Sequence, residues 1–106
     1  MDINTYQAKA IHFCGVKDED RLLNGVIGLS GETGEVADLI KKYIYHGHDL
    51  DREAIALELG DVMWYIVELS AAIGYDLNTI AEKNLQKLQK RYPNGFSKED
   101  SINRKV

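Results

Sequence analysis

DREAIALELGDVMWYIVELSAAI, residues 51–73, decides the fold. The run has no proline and no period-two alternation, and Gly74 follows it. Counting about 100° per residue from Glu58 places Ile55, Val62, Ile66, Leu69 and Ile73 between roughly 20° and 80°, the expected core stripe. Trp64, Leu57 and Ala71 fall roughly opposite. A helix apolar nearly all round is buried on all sides. A monomer of 106 residues is too small to cover it, which predicts a homo-oligomer, dimer or tetramer, with this helix central.

Working outward, helical spacing continues on both sides. A first helix is expected from about Asn4 to Phe13, and a long second one follows the polar segment 16–20 and ends near Tyr45. Gly47 is a left-handed stop in the loop His46-Gly47-His48-Asp49. Asp76 is the expected N-cap of a fourth helix that runs to about Tyr92, where Pro93 and Gly95 end it. The tail, residues 96–106, reads as loosely ordered. No strand pattern or repeat occurs, so the fold class is all-α: one domain over residues 1–106, a four-helix bundle assembled as a homo-oligomer.

The second helix carries Gly25, Gly28, Gly31 and Gly34, each of which costs roughly 0.8–1 kcal/mol against alanine. Two readings fit: close packing against a neighbour, or a helix that begins only near Ser30.

Both central helices hold an acidic pair three residues apart, Glu32 with Glu35 and Glu58 with Asp61. Such residues are surface neighbours on a helix. By the angular count both pairs border the buried seam, so two packed helices would gather four carboxylates. Like charges that close raise one another's proton affinity unless a cation joins them. Oxygen ligands suit Mg²⁺, with Mn²⁺ as a substitute. A di-iron site would want Glu-x-x-His, and none of His12, His46 or His48 has a glutamate three residues before it. The fourth helix adds Lys83, Asn84, Lys87, Lys90 and Arg91, a basic stripe suited to phosphate oxygens.

The formal charge of −4 argues against a nucleic-acid binder. The single Cys14 allows no intrachain disulfide and fits a reducing compartment. The first residues lack the features of a signal peptide, and the most apolar run, 62–73, is too short to span a bilayer. A cytoplasmic location follows, with no membrane partner.

The segments Gly28-Leu29-Ser30-Gly31-Glu32-Thr33-Gly34-Glu35 and Glu58-Leu59-Gly60-Asp61-Val62-Met63-Trp64-Tyr65 resemble the MazG-type nucleoside triphosphate pyrophosphohydrolases. The run from Asn84 to Pro93, continued by Asn94-Gly95-Phe96, resembles that family's third conserved region. The resemblance implies Mg²⁺-dependent cleavage of a (d)NTP to a monophosphate and pyrophosphate, in a site built from paired subunits. It also implies that Glu32, Glu35, Glu58 and Asp61 bind metal and carry catalysis, and that Asn84, Lys87 and Arg91 contact the nucleotide. A housecleaning role in the nucleotide pool is a further implication. Two alternatives stand beside it: a phosphoribosyl-ATP pyrophosphohydrolase, and a non-catalytic helical oligomerisation or regulatory module.

Overall fold

Three helices open on an aspartate whose carboxylate accepts a first-turn N–H that has no partner within the helix. The structure is a computed structural model and describes residues 1–104. Asp2 accepts from the Thr5 N–H at 2.8 Å and starts α1, Ile3–Ile11. A 3-10 turn, Asp18–Asp20, runs directly into α2, Arg21–Tyr45. Asp51 accepts from Ala54 at 2.9 Å and starts α3, Arg52–Ile73. Asp76 accepts from Thr79 at 2.7 Å and starts α4, Leu77–Arg91. Gly47 and Gly74 take the left-handed conformation, with φ of 73° and 78°, just beyond α2 and α3.

The chain is all-α, with no β-strand among the described residues. Five α-helices are present among the described residues where sequence spacing predicted four. The addition is α5, Lys98–Ile102, capped by Ser97 and lying within the tail read as loosely ordered. The last two residues of that tail, Lys105 and Val106, lie outside the described ones. The first helix ends at Ile11, earlier than the predicted Phe13, because the Phe13 and Cys14 N–H groups turn back to the Ala10 and Ile11 carbonyls.

Helices α2 and α3 form an antiparallel hairpin. Gly25 and Gly28 make it close: a Cβ at Gly25 would stand 2.8 Å from Leu69 Cγ, and one at Gly28 would overlap the Tyr65 ring. Close packing therefore explains two of the four glycines, while Gly31 and Gly34 face open space. The alternative start near Ser30 is overturned by α2 running unbroken from Arg21.

Helix α1 lies against α3 and the start of α4. The Trp64 indole N–H donates to the Ala10 carbonyl at 3.1 Å. Gln7 Oε1 accepts from the Leu77 N–H at 2.8 Å, and Asn4 Oδ1 from the Asn78 N–H at 3.0 Å. Ala10, Val67 and Leu77 form the small buried core, with Tyr6, Ile11, Trp64 and Ile80 packed on it.

This placement corrects the orientation of α3. Trp64 was expected on a face that only a second chain covers, and α1 of the same chain covers it instead. Ile73, expected in the core stripe, is 57% exposed. Leu59, Met63 and Ile66 are exposed beside it, as are Leu22, Val26 and Ile44 on α2. The radius of gyration, 16.7 Å, is that of an open arrangement, since a packed chain of this length has one of about 13 Å. A single chain does not close a four-helix bundle.

Candidate metal centre

The seam of the hairpin is a ladder read in opposite directions along the two helices. At one end, Asn24 Nδ2 donates to both carboxylate oxygens of Glu68, at 3.0 and 2.9 Å. Next, the Tyr65 ring rests on Gly28. At the following rung Glu32 of α2 meets Glu58 and Asp61 of α3. Each of these three acids offers an oxygen, and the three oxygens lie within 4.8 Å of one another.

Among the described residues no lysine or arginine pairs with Glu32, Glu58 or Asp61. The α2 lysines are engaged elsewhere, Lys41 and Lys42 both reaching Asp38, at 3.1 and 2.8 Å. The crowding appears in the proton affinity of Glu32, which is pushed up to about 7, first by the approach of the Glu58 carboxylate and then by burial and the charge of Asp61. Glu32 Oε2 is buried without a hydrogen-bond partner. Three hard oxygen donors, one with an unpartnered buried atom, fit a divalent cation of the Mg²⁺ or Mn²⁺ kind.

Of the four acids expected from the sequence, the structure gathers three. Glu35 stands outside the 4.8 Å group, exposed one turn along α2, yet near enough for its charge to raise the Glu32 pKa. Thr33, inside the motif, turns its hydroxyl back onto the Leu29 carbonyl at 2.7 Å and takes no part. Asn84 and Lys87 are exposed on α4, with Arg91 half-buried near its end, and the principal packing partner of α4 is α1.

Glu68 and Asn24 had not been singled out as a pair. Glu68 is only 1% exposed, the most secluded charged side chain of the core. Its signal was present in the spacing: it follows Asp61 by two turns and so continues the same acidic edge of α3. Tyr6 of α1 also stands near this group. Burial and the neighbouring Asp61 charge raise its hydroxyl pKa, which sets α1 against the acidic group.

The MazG nucleotide pyrophosphohydrolase domain matches residues 23–96 of this chain. The chain belongs to the MazG family. The MazG match contains the whole hairpin seam from Asn24 onward and all of α4. The chain is also 37% identical over 82 residues to the gene 37 protein of Mycobacterium phage L5, covering 74% of this chain and 72% of that protein. No solved structure matches this MazG chain. No helix among its described residues is long and apolar enough to cross a membrane.

Proposed function

We propose that this protein hydrolyses nucleoside triphosphates, deoxy or ribo, to the monophosphate and pyrophosphate with Mg²⁺ as cofactor, in the cytoplasm. The reading rests on one observation: within the MazG match, Glu32, Glu58 and Asp61 converge without a paired lysine or arginine among the described residues. These three side chains would hold the ion. When bound, it supplies Lewis acidity toward phosphate oxygens and toward water.

The remaining work belongs to the chain. Glu35, left out of the three-acid group, takes the proton from the attacking water as general base. The water oxygen forms its bond to the α-phosphorus while the bond from that phosphorus to the bridging oxygen breaks, and pyrophosphate leaves. Lys87 and Arg91 balance the charge that develops on it, and Asn84 hydrogen-bonds the nucleotide.

Those three residues lie on α4, which packs on α1 instead of closing over the hairpin. We therefore infer a homo-oligomer, dimer or tetramer, in which the uncovered apolar side of α2 and α3 meets another copy. The test is incubation of the purified protein with a panel of NTPs and dNTPs plus Mg²⁺, with product identification. Monophosphate plus pyrophosphate supports the reading. Diphosphate plus phosphate, or turnover of phosphoribosyl-ATP alone, overturns it.

A further inference from the structure

The antiparallel hairpin gathers its acids in one register only. Glu32 lies two turns beyond Asn24 on α2, and Asp61 lies two turns before Glu68 on α3, about 10–12 Å along each axis. Because the helices run in opposite directions, setting Asn24 beside Glu68 also sets Glu32 beside Asp61. A slip of one turn moves the α3 acids by about 5.4 Å, more than the 4.8 Å within which the three oxygens lie.

Shape alone does not choose this register. Helix α2 carries a glycine at every third residue from Gly25 to Gly34. The Tyr65 ring rests on Gly28, while a Cβ at Gly31, about one turn along, would meet nothing within 4 Å. The apolar contacts of the seam are non-directional. Close approach is therefore available in more than one register.

The buried polar contact does choose. Asn24 Nδ2 donates to both oxygens of the buried Glu68. Outside the acidic group, this is the one side-chain hydrogen-bonded contact between α2 and α3 among the described residues. A slip of one turn sets Glu68 against Ile27 and Gly28 in one direction, and neither has a side-chain donor. In the other direction it meets Asp20, a like charge, and Arg21, which is already paired with Asp18 at 3.4 Å. A buried carboxylate that loses its partner is heavily penalised. Fixing register at some cost in stability is the best-attested use of such groups between helices.

We propose that Asn24 and Glu68 are positioning residues for the candidate metal centre: their buried hydrogen bonds fix the register of α2 against α3 and so hold Glu32 level with Glu58 and Asp61. Neither belongs to the three-acid group, and they act on the cation only through it. The proposal rests on the cation reading above and adds what sets the geometry of its ligands.

The test measures Mn²⁺ affinity by titration of the protein with Mn²⁺ alone, beside denaturant unfolding of the same samples. The double variant Asn24→Leu/Glu68→Met replaces the pair by apolar side chains of similar volume. Its unfolding midpoint should stay at or above that of the parent, while Mn²⁺ affinity should fall by about tenfold or more. Glu68→Gln removes the charge but still accepts from Asn24, so it should bind Mn²⁺ like the parent. Unchanged affinity in the double variant overturns the proposal. A lowered midpoint or a failure to fold also overturns it, because the pair would then serve stability and not alignment. An equal loss of affinity in Glu68→Gln overturns it in favour of a charge effect, and a parent that binds no Mn²⁺ leaves nothing to position and overturns it too. Triphosphate turnover, followed separately across divalent ions, keeps the two readings apart. Turnover by the parent with unchanged affinity in the double variant removes the register lock and keeps the hydrolase. The expected affinity changes without turnover keep the lock and remove the hydrolase.

Discussion

The α2–α3 hairpin and α4 differ in what completes them. The hairpin brings its chemistry together inside one chain: Asn24 meets Glu68, Gly28 meets Tyr65, and Glu32 meets Glu58 and Asp61. Helix α4 is tied down mainly at its start, through Leu77 and Asn78, and most of its later residues are exposed. The acidic half of the proposed site is thus set by intrachain packing, whereas the basic half would depend on how copies assemble in the oligomer proposed above. Mutations should therefore act on the two halves through different observables.

The largest effect is expected at the acids. Glu58→Gln should lower turnover by at least about a hundredfold, the scale of removing a group that acts on transition-state charge. Its circular dichroism should match the parent, because the acids add crowding and no internal ion pair. Full activity in this variant would break the assignment.

Gly28→Ala comes next and tests the hairpin itself. The added methyl overlaps the Tyr65 ring, and overpacking of this kind costs about 1–3 kcal/mol, read from denaturant unfolding. Tyr65 sits one turn from Asp61, so Mn²⁺ affinity should fall together with stability. On α4, Lys87→Ala should raise the KM for triphosphate by about tenfold and leave the melting temperature where it was. A loss of stability in that variant would erase the distinction between the two regions.

The acidic group also predicts a pH dependence. Without a cation, the folded chain keeps a proton on Glu32 up to about pH 7, while in the unfolded chain that group titrates near 4.5. Folded stability should therefore decline as pH rises from about 4.5 to 7 and stay low above that. Added Mg²⁺ should recover the melting temperature at pH 8 and change it little at pH 5, because the cation competes with the proton. The smallest effect is a gain: Gly31→Ala meets nothing within 4 Å and should add about 0.8–1 kcal/mol of helix stability.

Much of this was legible in the sequence, for identifiable reasons. Asp51, Asp76, Gly47 and Gly74 act locally, so the limits of α3, the start of α4 and the end of α2 followed from residue type and position. The convergence of Glu32 with Glu58 and Asp61 followed from two motifs at the edge of an apolar stripe. What did not follow was which side of α3 the chain itself covers. A helix apolar nearly all round has no preferred face, and the choice fell to α1, whose Gln7 and Asn4 tie it to α4 by bonds that no periodicity encodes. Glu35 illustrates the same limit on the site side: helical spacing puts it beside Glu32, but the local separation of α2 and α3 decides whether it joins the group.

The short connection between α2 and α3 has a kinetic consequence. Residues 46–51 are all that separates the two helices, and closing so short a loop costs little chain entropy. Contacts of low sequence separation form fastest, so the acidic rung should assemble with the first tertiary event of folding, ahead of the longer-range docking of α1 on α4. The divalent cation proposed above would then meet its ligands as the two helices first pair, and would accelerate folding to the extent that it binds there.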